Sequence, residues 1–159
     1  MPGEDLDPSA QQVVDVLKAR GVVGPFLEFT VPTKTAADAA AALDCEVEAI
    51  ASTVVFMADD TPLVVLKSGT LRVDVEKVRQ YLGALSVRQA TPTEVRAATG
   101  QSPGGVSPVG WPQPIPCLID NSLARIAQLW AACGTPNAVF ATTYEELRLL
   151  TGATPISLR

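Results

Sequence analysis

Apolar positions along this chain recur in two rhythms, and the switches between them outline its elements. Over Ser9 to Arg20, Val13, Val14 and Leu17 fall at helical spacing, and Gly21 and Gly24 close the element. Phe26 to Val31 is a short apolar run between Pro25 and Pro32, the pattern of a strand. Thr35 stands as N-cap before an Ala-rich helix that runs to about Leu43, with Asp38 near its positive end. Ile50 to Met57 and Pro62 to Lys67 are Val-rich runs on either side of Ala58-Asp59-Asp60-Thr61, which predicts a β-hairpin. Ser68-Gly69-Thr70 then turns the chain and Leu71 to Val73 is extended. Asp74 caps a helix through Leu82 that shows Val75, Val78 and Leu82 on one face.

The second half continues in the same way. Val87 to Ala90 reads as a strand. Thr91-Pro92-Thr93-Glu94 is a helix start with a Thr cap, Pro at the first position and a Glu that reaches back; the helix ends at Gly100. Ile115 to Ile119 reads as a buried strand ending at Asp120. The Ala and Leu content of Asn121 to Ala132 spells a helix. Gly134-Thr135-Pro136-Asn137 is a turn, Ala138 to Ala141 a strand, and Thr143 to Glu146 has capping-box spacing before a helix stopped by Gly152. The order of elements predicts a mixed α/β fold with helices packed on a curved sheet. A single domain is expected over residues 1–159, with residues 1–8 an acidic, loose tail.

Between the two halves lies Thr99 to Gly110, with four glycines and two prolines in twelve residues. Such a stretch makes neither a helix nor a central strand. Its paired glycines let backbone N–H groups approach a ligand with no side chain in the way. A surface loop that merely turns the chain is the alternative, and composition alone does not separate the two.

Composition narrows the chemistry. The chain is 47% hydrophobic but only 5% aromatic, so its core is built from Ala, Val and Leu. A net charge of −5 speaks against broad electrostatic capture of DNA or an anionic membrane, though not against docking one end of a nucleic acid. The absence of a membrane span and of a basic-then-apolar leader points to the cytosol. There are no histidines, which excludes Ser-His-Asp and Cys-His catalysis and any His-ligated metal. Cys45, Cys117 and Cys133 lack a metal or redox spacing and read as small buried residues, with a catalytic thiol as the alternative.

Five segments in series carry a resemblance. They are Ile50 to Phe56, Ser68 to Asp74, Thr99-Gly100, Gly104 to Gly110, and Trp130 to Phe140. Together they resemble the YbaK family, free-standing relatives of the editing domain inserted in bacterial prolyl-tRNA synthetase, over about Ser9 to Gly152. The resemblance implies a barrel-like mixed sheet ringed by helices. It also implies that Ala127 to Cys133 is a strand paired with Ala138 to Ala141, against its helical composition.

The activity implied is hydrolysis of the ester joining a wrong amino acid to the 3′ end of a tRNA. Such editing exists because binding alone separates small side chains by only about 1–3 kcal/mol per methylene. The implied partners are the 3′ end of an aminoacyl-tRNA and an aminoacyl-tRNA synthetase; no cofactor or metal is implied. In the family the chemistry leans on a substrate hydroxyl and a positioned water. The resemblance puts oxyanion donors on the backbone of Gly104, Gly105 and Val106, and substrate contacts at Thr53, Ser107 and Pro108. Well-known members carry a lysine where this chain has Ser52; serine keeps a hydrogen-bonding group and loses the charge. A lysine returned to position 52 is expected to raise activity on the substrates of those members. Lys34, Lys67 and Arg72 lie in neighbouring segments, none at the motif position.

Several residues carry two readings each. Asp120 orients a water or an amino group, or caps the turn that follows. Trp111 stacks on adenine or is a partly exposed lid residue. Arg72 holds the terminal phosphate or pairs with Asp74 or Glu76, and Trp130 is core. Two other functions remain: a non-catalytic module binding an aminoacyl-adenosine, nucleotide or peptide in the same pocket, and hydrolysis of another small aminoacyl ester.

Overall fold

The structure, a computed structural model, describes residues 7–30, 33 and 35–158. Most of the expected tail, the end of the first predicted strand at Val31, and Lys34 lie outside the described residues. Helix α1 (Pro8–Ala19) already begins at Pro8, and its Ser9 N–H donates to the Asp7 carboxylate at 2.8 Å. The cap is therefore Asp7, and proline occupies the first helical position, where a missing N–H costs nothing.

A five-stranded sheet forms one wall. Strands β2 (Ala51–Ala58) and β3 (Thr61–Ser68) pair antiparallel from Ala51↔Ser68 to Ala58↔Thr61. Their turn is Asp59-Asp60, with φ of 47° and 64°, as a two-residue hairpin requires when its twist matches that of the strands. The Asp59 carboxylate also accepts the N–H groups of Leu85 and Ser86, at 3.0 and 2.9 Å, which ties the hairpin tip to strand β4 (Val87–Gln89). On the other side β3 pairs parallel with β5 (Cys117–Asp120), and β5 with β8 (Thr154–Ile156). β8, with Pro155 on the sheet edge, has no counterpart in the sequence reading, which stops at Gly152.

The second wall is a three-stranded sheet, in the order β1 (Phe26–Glu28), β7 (Ala138–Thr142), β6 (Leu129–Ala132). The segment whose composition spells a helix is thus a 3-10 turn over Asn121–Arg125 followed by a strand. Along β6, Leu129 and Ala131 are buried while Trp130 and Ala132 are half-buried, and this period of two fits a sheet with one face on the core. Among the described residues a parallel bridge, Ile50 to Trp130, links the two sheets, and they form two walls meeting at a seam.

Helices cover the outside of this pair. α2 (Ala36–Leu43) is capped by Thr35, whose Oγ1 accepts from Asp38 N–H at 3.0 Å. α3 (Val75–Leu82) is capped by Asp74, and α5 (Tyr144–Thr151) by Thr143. In α5 the Glu146 carboxylate takes the Thr142 hydroxyl at 2.7 Å and does not close the expected box on Thr143. In α4 (Pro92–Thr99) the box is complete: Glu94 N–H donates to Thr91 Oγ1 at 3.2 Å and Thr91 N–H to Glu94 Oε1 at 2.9 Å. One hydrophobic cluster fills the space between the large sheet and α4 and α5, around Val64, Leu66, Ile119 and Leu147. Another lies between α1 and the small sheet, around Val14, Leu17, Ala131 and Phe140. Among the described residues no helix is long and apolar enough to cross a membrane.

The start of α4 has a pH signature. Arg88 forks onto both Glu94 oxygens, at 2.7 and 2.8 Å, and together with the Thr91 N–H holds the carboxyl from 4.5 down to about 2. A carboxylate whose pKa falls on folding stabilises the protein above its unfolded value and loses that contribution as pH drops toward its folded value. Glu94→Gln is therefore expected to melt below wild type at pH 7. The gap should close between about pH 4.5 and pH 2 as wild type loses its advantage. A gap that stays constant across that window would show that the ion pair does not contribute.

Candidate functional site

The loop after α4 is built as a bracket between the two hydrophobic clusters. It leaves α4 at Gly100 and turns at Ser102-Pro103-Gly104-Gly105, where Gly105 N–H donates to Ser102 O at 3.0 Å. Proline at the second position and a glycine of φ 86° at the third are the requirements of a type II turn. Beyond the turn, Val106 enters the cluster under α4, and Val109 enters the cluster under α1. Gln101 closes the bracket: its Oε1 accepts from Ser107 N–H at 2.7 Å and its Nε2 donates to Val109 O at 2.8 Å. Ser107 Oγ donates to Val109 O at 2.6 Å, and Trp111 Nε1 donates to Ser107 O at 3.0 Å.

Gly105 decides where this bracket sits. A Cβ built on it would lie 2.2 Å from the carbonyl carbon of Thr135 and 2.6 Å from Pro136 N. The loop is thus docked backbone against backbone on the β6–β7 turn, an approach open only to glycine. That turn is in turn held by Thr33, whose N–H and Oγ1 both donate to Pro136 O, at 2.8 and 2.6 Å.

The docked loop, the β6–β7 turn, α2 and the edges of the two sheets enclose a cavity of about 500 Å³ at the seam. This lies within the range of small-molecule sites. Ser52 and Thr53 of β2 line it, as do Gly104 and Val106 of the loop. Among the described residues the Gly104 and Val106 N–H groups meet no protein acceptor, whereas the Gly105 N–H is spent in the turn. Thr53 Oγ1 is shut off from solvent and also has no partner.

The other expected site residues lie elsewhere. Ser107 and Pro108 are buried behind the loop, and Ser107 is consumed in holding it. Trp111 packs half-buried on the cluster beneath the loop and pins Ser107, so its ring is not on the cavity wall. Asp120 is buried as the cap of the 3-10 turn: it accepts from the Ser122 N–H and hydroxyl, and from Leu158 N–H at 2.9 Å. Arg72 is exposed and away from the cavity, and Glu76 pairs with Arg79 instead of with it. Trp130, read as core, is half-buried and faces the cavity beside Ala39 and Ile50.

The sequence set Lys67 aside as off the motif position and gave no role to Gln101. Lys67 lines the cavity, and the strand register sets it directly opposite Ser52. Burial draws its ammonium below the ordinary lysine value. The signal was in the hairpin: Ser52 is the seventh residue before Asp59, and Lys67 the seventh after Asp60. For Gln101 the signal was a long amide side chain in a loop otherwise made of small residues. No cysteine lines the cavity: burial pushes Cys117 and Cys133 up to about 12, and burial followed by Glu46 and Asp44 raises Cys45.

Gly105→Ala is expected to lower the denaturation midpoint by the equivalent of about 1–3 kcal/mol, since the methyl group meets backbone and not a movable side chain. Urea unfolding reads this directly. An unchanged midpoint would mean that the loop does not rest on the β6–β7 turn.

An aminoacyl-tRNA editing domain model matches residues 30–150. The uncharacterized protein YwhH of Bacillus subtilis (strain 168) is 31% identical over 121 residues, 76% of each chain. A proline–tRNA ligase of Leuconostoc mesenteroides is 36% identical over 98 residues, which are 62% of this chain but only 17% of the ligase. The crystal structure of a candidate trans-editing enzyme for prolyl tRNA synthetase is 40% identical with a TM-score of 0.91, covering 98% of this chain and 99% of that one. The chain therefore belongs to the aminoacyl-tRNA editing domain family.

Proposed function

We propose that this protein is a trans-acting deacylase that hydrolyses the ester of a mischarged tRNA, with the cavity at the seam holding the aminoacyl group. The observation that carries the reading is that Gly104 and Val106, whose N–H groups meet no protein acceptor among the described residues, both line that cavity. When water attacks the ester carbonyl, negative charge gathers on its oxygen, and rigid backbone donors stabilise such an oxyanion without reorganising. The bond from the acyl carbon to the ribose oxygen then breaks, leaving a free amino acid and a free hydroxyl on the tRNA.

No carboxylate lines the cavity among the described residues, and the chain has no histidine. As the family resemblance implies, proton transfer rests on a substrate hydroxyl and a positioned water, with Ser52 as a group that orients water or substrate; Thr53 lines the cavity, but its Oγ1 is closed to solvent and does not hold that water. The small volume and the apolar surfaces of Ala39, Ala131 and Val139 suit a small side chain. Partners in this reading are the 3′ end of an aminoacyl-tRNA and a synthetase. With a net charge of −5, few phosphates beyond that end are engaged, so tRNA affinity is expected to fall only shallowly with salt.

A panel of aminoacyl-tRNAs incubated with sub-stoichiometric protein tests the reading. Turnover of at least one is expected, and stoichiometric binding with no release of amino acid would favour the binding-module alternative. Ser52→Ala should cost up to about tenfold in rate, the worth of one hydrogen bond. Thr53→Val removes a buried hydroxyl that has no partner and is closed to solvent, so stability should hold or rise while kcat/KM stays within about twofold. A fall in kcat/KM at unchanged stability would show that the Thr53 hydroxyl reaches the substrate.

A further inference from the structure

The ionisable groups at the seam reduce to one. Among the described residues lining the cavity, Lys67 is the only side chain that carries charge. Its ammonium donates to its neighbour's carbonyl, Ser68 O, at 3.3 Å, and no carboxylate lies within ion-pair distance among the described residues. An ammonium has three donors, so two remain for other acceptors. The fold makes no other use of this charge, although half-burying an unpaired cation is unfavourable. The β2–β3 register also places it on the same face as Ser52, and directly opposed residues in an antiparallel pair stand about 4.5–5.5 Å apart at Cβ. A long side chain from position 67 therefore serves the same space as one from position 52.

We infer that Lys67 is the cationic substrate-binding residue of this site, placing its ammonium on an anionic oxygen of the substrate from the strand opposite Ser52. This rests on the deacylase reading for the identity of the substrate but not for the chemistry of the contact. An aminoacyl-adenosine end offers two such oxygens: the phosphate that carries the terminal nucleoside, and the oxyanion formed during hydrolysis. The register also changes what Ser52→Lys should do. Two ammoniums would face each other across one strand pair, which is destabilising, so the single substitution is not expected to raise activity. Exchanging the two residues is the balanced change.

The experiment compares wild type, Lys67→Met, Lys67→Gln and the exchange Ser52→Lys/Lys67→Ser. Each is assayed on the aminoacyl-tRNA panel and for binding of adenosine 5′-monophosphate, with adenosine as the uncharged control. Melting should show both neutral variants at least as stable as wild type, because each removes a half-buried charge. Loss of the contact should lower kcat/KM about ten- to a hundredfold, and the exchange should return it to within several-fold of wild type. A drop carried by KM, with weakened nucleotide binding, assigns the phosphate; a drop carried by kcat assigns the oxyanion. Neutral variants within twofold of an active wild type, or an exchange as poor as Lys67→Met, would overturn the inference and leave the deacylase reading standing. If wild type hydrolyses no aminoacyl-tRNA, that reading falls and nucleotide binding alone decides. Tighter binding of the monophosphate than of adenosine, lost in Lys67→Met and regained in the exchange, upholds Lys67. Equal binding of the two overturns it.

Discussion

The contact on which this structure turns is the one between the backbone of Gly105 and the Thr135–Pro136 peptide. It brings a loop from the end of α4 within reach of a turn that belongs to the other sheet. No side chain fits between them, so the approach is short and rigid, and it sets the height of the cavity roof. Val106 and Val109, one on each side of Ser107, then drop into separate hydrophobic clusters. The loop is thereby anchored in both halves of the core, and the Gln101 amide keeps its two arms in step. A segment rich in glycine and proline is usually the most mobile part of a domain. Here burial from Gly105 to Val109 makes it part of the framework, while Gly104 at the tip stays exposed.

That rigidity matters for the chemistry the cavity can perform. Among the described residues the walls carry the hydroxyl residues Thr33, Thr35, Ser52, Thr53 and Thr135, the Gln89 amide and the Lys67 ammonium, and no carboxylate. A site of this kind works by placing fixed dipoles and a charge where the substrate will need them. The same economy explains why a chain without histidine fits an editing family at all. The match to the Leuconostoc ligase covers 17% of that protein, which places the shared module within a far longer chain.

Much of the fold was legible in the sequence because its signals are local. Thr35, Asp74, Thr91 and Thr143 each cap the helix that their spacing announces. The Asp59-Asp60 turn with its flanking Val-rich runs defines the β2–β3 hairpin, and through it the facing of Ser52 and Lys67. Capping and tight turns are decided by a handful of neighbouring atoms, so residue identity suffices.

What only the tertiary structure decided is non-local. Ala and Leu favour a helix over Asn121 to Ala132, yet β7 offers Leu129 to Ala132 a strand partner and buries Leu129 and Ala131. β8 exists because β5 presents a free edge to a short segment that has no strand pattern of its own. The loop was visible as a glycine-rich stretch with donors to offer. Which donors remain depended on a turn that consumes the Gly105 N–H and on packing that hides Ser107 and Trp111 behind the roof. Asp120 and Arg72 sit close in sequence to site elements but are directed to a cap and to solvent. Sequence determines which groups a segment can present; whether they meet in one cavity depends on strand register and on contacts between distant backbones, which no local pattern encodes.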